Sequence, residues 1–97
     1  MVNEDSKIVG SMEEVKERHS RYLRAMNNQV RREILRVIKA GHYTIEGIQN
    51  QIIIDTKTLI WHLEMLEWGS CVRKETRSNI IYYHLTQEGL VVDYLDK

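Results

Sequence analysis

No proline occurs among the 97 residues, a single cysteine stands at position 71, and only five glycines are present. Without proline there is no polyproline linker, and helix ends have to be read from capping side chains and glycines. The lone Cys71 excludes an internal disulfide and points to an intracellular, cytoplasmic protein. No apolar run is long enough to cross a bilayer, and residues 1–10 are too polar for a signal peptide. Repeats and low-complexity segments are absent too. Neither sign of charge prevails: 14 Lys and Arg balance 14 Asp and Glu, which by itself argues against strong non-specific binding to DNA.

Catalytic and metal signatures are equally scarce. There is no Gly-x-Ser-x-Gly, no phosphate-cradling glycine loop and no activating group next to Cys71 in sequence, so an enzyme is not expected. His19, His42, His62, His84 and Cys71 form no pair at ligand spacing, so neither a metal site nor a cofactor is expected. His62 reads as a packing or hydrogen-bonding histidine, and Gly47 falls in mid-helix without evident reason.

A hydrophobic content of 42% with 29% charged residues suits one folded domain. Residues 1–10 read as a flexible segment and 11–97 as the domain. A chain this short buries a modest core, so pairing with a second copy is a natural source of extra stability. Charge is unevenly spread. Between positions 18 and 39 lie Arg18, Arg21, Arg24, Arg31, Arg32, Arg36 and Lys39, with His19, against the single acid Glu33. Acids gather toward the two ends.

The order of elements is the most informative feature. Ser11-x-x-Glu14 is a capping box that predicts a helix from Met12, with Met12, Val15, Tyr22, Leu23 and Met26 on one stripe. Asn27-Asn28 caps a second helix whose apolar face is Val30, Ile34, Leu35, Val37 and Ile38, closed by Gly41. Thr44 caps a short helix to about Asn50, with Ile45 and Ile48 inward. Ile52-Ile53-Ile54 reads as a buried turn. Asp55 caps a third core helix with Leu59, Leu63 and Leu66 as its seam, closed by Gly69. Period-two alternation then marks two strands around a polar tip at Arg77-Ser78-Asn79. A final helix from Thr86 is expected to bury Leu90, Val91, Tyr94 and Leu95. This is an α+β, mainly helical plan: a winged helix-turn-helix with a two-stranded hairpin wing and flanking terminal helices.

In such a plan the helix after Asp55 presents its first turns to the DNA major groove. Thr56, Lys57, Thr58, Ile60 and Trp61 are the candidates for base and phosphate contact. Trp61 is large and aromatic, and it could equally pack on the wing or at a protein interface. Arg73, Lys74, Arg77 and Asn79 on the wing could follow the backbone or minor groove. Arg31 and Arg32 could touch phosphates, and Arg31 could instead be the structural partner of a carboxylate.

These residues carry a family resemblance. Asn27 followed by Arg31-Arg32-Glu33-Ile34-Leu35, Thr58-Leu59-Ile60-Trp61-His62-Leu63 with Leu66, then Gly69, Val72 and Tyr83-His84-Leu85-Thr86 resemble the ArsR-type winged-helix regulators, especially their compact archaeal versions. The resemblance implies a homodimer built on the first and last helices, through Met12, Val15, Tyr22, Leu23, Leu90, Val91, Tyr94 and Leu95, that reads a roughly palindromic operator in double-stranded DNA. The chain is too short for a separate sensory domain, so an effector would act at the dimer interface or through a protein partner. Three positions depart from the family pattern. Ile53 stands where members often have Gly, Ile60 where they often have Ser, and Thr44 and Glu46 where metal-sensing members carry a Cys pair. A β-branched Ile53 disfavours a left-handed backbone, so this turn must take another form. The alternative to a DNA-binding regulator is a winged-helix protein-interaction module using Ile60, Trp61 and Trp68.

Overall fold

The computed structural model describes residues 12–94. Ser11, the segment expected to be flexible at 1–10, and Leu95 lie outside the described residues. The order is α1 (Met12–Met26), α2 (Gln29–Lys39), α3 (Ile45–Gln49), α4 (Thr56–Trp68), β1 (Val72–Arg77), β2 (Ile80–Leu85) and a terminal 3-10 helix (Gly89–Tyr94). Three helices begin at side-chain caps. Asn28 accepts from the Arg31 amide, Thr44 from the Gly47 amide and Asp55 from the Thr58 amide, each meeting one of the orphan donors of a first turn. Gly47 is explained by its cap: a Cβ there would sit 3.1 Å from the Thr44 hydroxyl that its amide needs.

The core lies where α2, α3, α4 and the base of the hairpin meet. Ile34, Leu35 and Ile38 of α2, Ile48 of α3 and Leu59, Leu63 and Leu66 of α4 are fully buried, with Cys71 and Val92 closing the far side. Val30, expected on the apolar face of α2, is exposed at its first turn. α1 behaves differently: of its fifteen residues only Ala25 and Met26 are buried, while Met12, Val15 and Leu23 stay exposed.

The hairpin pairs antiparallel from Val72↔Leu85 to Arg77↔Ile80. Its tip is the two-residue turn Ser78-Asn79, both with positive φ (51 and 68). That is the hand of a type I′ turn, which matches the twist of the strands it joins. Tyr83 donates its amide to the Tyr43 carbonyl at 2.8 Å, which ties the loop after α2 to the wing.

Two local expectations change. In the 52–54 segment Ile52 and Ile54 pack against the core, but Ile53 is fully exposed. Ile52 and Ile54 on either side face inward, and Ile53 between them points out. Ile53 is not among the positive-φ residues, so the turn does take a form open to a β-branched residue. The final element is not an α-helix from Thr86 that buries Leu90, Val91 and Tyr94. It is a 3-10 turn whose buried residues are Gly89 and Val92, because three residues per turn align 89 with 92. Val91 is half-buried, whereas Leu90 and Tyr94 face solvent. The Thr86 hydroxyl starts this turn, accepting from the Gly89 amide and donating to the Ser70 carbonyl.

α1 crosses α4 at Gly69, where a Cβ would collide with the Ala25 Cβ and approach the Arg21 carbonyl to 3.0 Å. Backbone and a short buried side chain have little room to yield. Gly69→Ala should therefore destabilise the fold by about 1–3 kcal/mol, read as a lower urea midpoint at unchanged m-value. A midpoint equal to that of the unaltered protein would show that the crossing is loose.

Candidate nucleic-acid interface

The N-terminal turns of α4 are open to solvent. Thr56, Lys57 and Thr58 are all exposed, and the outward stripe continues through Trp61, Glu64 and Trp68. These four-and-three spacings place Lys57, Trp61, Glu64 and Trp68 opposite the Leu59–Leu63–Leu66 seam. Trp61 is 53% exposed and Trp68 41%. Ile60 sits at the edge of this face and is half-buried.

The candidate polar groups are not equally free. The Thr58 hydroxyl and amide both hydrogen-bond Asp55, and they hold its carboxyl below the usual carboxylate range. The Thr56 hydroxyl accepts from Gln49 Nε2 at 3.0 Å, and the same amide donates to the Ile54 carbonyl. That bridge fixes the turn between α3 and α4. Lys57 is left with no carboxylate partner for its ammonium among the described residues.

On the wing, Lys74 turns back toward α4 and pairs with Glu67 at 3.5 Å. Arg77 pairs with Glu75 at 3.4 Å and lies over the Tyr82 ring at 4.6 Å. Glu75 also meets His84 Nε2 at 2.8 Å, and His84 packs on Tyr43. Arg73 and Asn79 are exposed, and Arg73 has no ionic partner among the described residues.

Arg31 and Arg32 occupy another role than the one read from sequence. Arg31 is only 6% exposed. Its Nε donates to the Ala25 carbonyl at 2.8 Å and its Nη2 to the Arg24 carbonyl at 3.2 Å. Arg32 Nη1 donates to the Met26 carbonyl at 2.7 Å. Two guanidinium groups thus cap three consecutive carbonyls at the C-terminal end of α1, where unpaired acceptors and the negative end of the helix dipole call for cations. The partner of Arg31 is backbone rather than a carboxylate or a phosphate, and its burial removes it from the set of DNA contacts.

Arg31 also joins α4. Its Nη1 lies 3.3 Å from His62 Nδ1, and its guanidinium carbon lies 5.7 Å from the Trp61 ring centroid. Trp61 therefore packs over the α1–α2 junction, not on the wing. An arginine can only donate, so Nδ1 must accept and the proton of a neutral His62 sits on Nε2. Burial, and then Arg31, push the His62 pKa below 6.5. Burial also lowers the pKa of Arg31 from its ordinary value.

The remaining cations of the 18–39 segment are largely engaged. Arg18 pairs with Glu88, Arg21 with Glu17 and Lys39 with Asp93. Arg24 is exposed at the end of α1, and its guanidinium has no ionic partner among the described residues. It was not singled out from sequence, where it is one arginine among many. Cys71 is fully buried, and burial pushes its thiol up to about 12, so it packs as a neutral side chain. Among the described residues no three His, Cys, Asp or Glu are grouped to hold a metal ion, and no helix is long and apolar enough to cross a membrane.

No protein-family model matches the sequence, and no curated protein matches it. In three dimensions the chain is similar to the crystal structure of an ArsR family transcriptional regulator. The TM-score is 0.67 at 15% sequence identity, with 81% of each chain covered. The fold is a winged helix. It is the mainly helical α+β fold expected from the order of caps, glycines and alternating strands.

The Arg31–His62 joint yields a pH dependence of stability. The unfolded imidazole takes up a proton near pH 6.5 and the folded one only at lower pH, so below pH 6.5 the unfolded chain binds more protons. Stability should be complete above pH 6.5 and fall as the pH drops below it. Urea midpoints of the unaltered protein and of His62→Asn, compared at pH 7.5 and 5.5, would differ less in the variant; equal losses would clear His62. Arg31→Met, which strands the buried Ala25 carbonyl and the half-buried Arg24 carbonyl, should cost about 1–3 kcal/mol at either pH.

Proposed function

We propose that the protein is a sequence-specific, DNA-binding transcriptional regulator that acts as a homodimer on a palindromic operator. The observation that carries this reading is the open leading side of α4. Its first two turns are unshielded, Lys57 projects from them without an ionic partner among the described residues, and the wing is anchored alongside. A helix so mounted can enter a major groove while the wing meets the adjacent backbone. Lys57, with the hydroxyls of Thr56 and Thr58, would address base edges and phosphates, and Ile60 and Trp61 would supply apolar contact to thymine methyls and sugars. Arg73 and Asn79 would follow the backbone, with Lys74 and Arg77 held close by. The winged-helix neighbour is itself described as a transcriptional regulator.

The homodimer reading rests on α1 and the chain end. Met12, Val15, Leu23, Leu90 and Tyr94 are exposed apolar side chains. A groove of about 450 Å³ lined by Val15, His19, Tyr22 and Val91 runs between the two elements. The radius of gyration is 15.3 Å, against about 13 Å for a compact chain of this length, so the described chain is drawn out. A second copy laid along α1 would cover the stripe.

A second reading, a protein-interaction module, is favoured by the exposure of Trp61 and Trp68 on one stripe of α4. Gel-shift assays with random DNA fragments at two salt concentrations separate the two, because only DNA binding weakens steeply with salt.

Lys57→Ala combined with Arg73→Ala removes two unpaired cations. DNA affinity should fall, and the slope of log affinity against log salt should shrink by about 2. An unchanged slope would reject these contacts. Leu23→Glu with Leu90→Glu should give a monomer in sedimentation, with weak operator binding. If the unaltered protein is itself monomeric at micromolar concentration, palindromic recognition falls.

A further inference from the structure

We propose that the Arg31–His62–Trp61 joint makes DNA binding responsive to pH: a proton on His62 expels the Arg31 guanidinium, unseats Trp61 and lowers affinity. This rests on the DNA-binding reading above and assigns that same face its regulation.

The geometry forces the choice. His62 Nδ1 accepts from Arg31 at 3.3 Å, and each residue is only 6% exposed. Once Nδ1 carries a proton, two donors and two positive charges oppose each other in a site with little water to separate them. The groups facing His62 offer no relief. From α2 comes Arg31, whose charge is the one that acts on the ring. From α1 come the Arg24 and Ala25 carbonyls, already bonded to Arg31. On α4 itself is the Trp61 ring, its centroid 4.9 Å away. Cys71, after α4, acts on Arg31 rather than on the ring, and burial keeps its thiol neutral. No carboxylate among the described residues acts on His62. If Arg31 leaves, Trp61 loses the cation beneath its ring and α1 loses its cap. Trp61 sits mid-stripe on the face that would meet DNA, so a change beneath it reaches the contact surface directly.

The sign distinguishes this joint from simple charge. Protonating exposed histidines adds cations and strengthens DNA binding as pH falls. Expulsion of Arg31 does the reverse.

The test measures binding to a pool of random-sequence duplex DNA at low salt, together with Trp61 emission in a Trp68→Phe background, from pH 7.5 to 5.5. Circular dichroism confirms folding throughout. Affinity should fall about tenfold, with Trp61 emission shifting in step and a midpoint below pH 6.5. His62→Asn keeps an amide oxygen near the Nδ1 position and cannot titrate. It should hold both readouts level or let affinity rise; His62→Gln serves if His62→Asn does not fold. Flat affinity with unshifted emission in the unaltered protein overturns the switch alone, as does an equal response in the variant. No DNA binding at any pH overturns the DNA-binding reading on which the switch depends.

Discussion

The buried guanidinium of Arg31 is the constraint around which the helices are arranged. It enters from the first turn of α2, closes the open end of α1 through two carbonyls, and meets the one polar side chain in the α4 seam. Burying an arginine is costly unless its donors are satisfied, and here they are taken by backbone acceptors and an imidazole. No buried side-chain nitrogen or oxygen among the described residues lacks a partner. These hydrogen bonds act with the packing of Tyr22, Ala25 and Met26 to set α1 against the core.

This arrangement reconciles a chain of zero net charge with a segment rich in arginine. Much of the basic segment around α1 and α2 is engaged within the chain: two arginines cap a helix end, two more pair with Glu17 and Glu88, and Lys39 pairs with Asp93. Among the described residues, the exposed cations without an ionic partner include Lys16, Arg24, Lys57 and Arg73, and they sit apart in sequence. The two exposed tryptophans supply apolar area where a strongly basic helix would supply charge.

The elements were legible in sequence because their ends are chemically marked. Asn28, Thr44 and Asp55 cap three helices at the positions read from sequence, and Gly69 ends α4. The alternation after Gly69 gave the wing and its tip. What could not be read is pairing across distance. A sequence shows that Arg31 is basic, but not that the carbonyls of Arg24 and Ala25 converge on it. Likewise Lys74 and Arg77 read as wing cations because Glu67 and Glu75 become their partners only after folding. The chain end misled through its period: Leu90, Val91 and Tyr94 suit an α-helical stripe, whereas the 3-10 turn selects Gly89 and Val92. The polar His62 inside a leucine seam was the one hint of the joint.

The tie between Lys74 and Glu67, with the Cys71 amide donating to the Leu66 carbonyl at 2.8 Å, fastens the hairpin to the end of α4. In the proposed reading, the two structures that would touch a duplex are thus joined at the base of the hairpin. If two copies pair along α1 as proposed, the distance between their hairpins would be set by how the exposed stripe of that helix meets its counterpart.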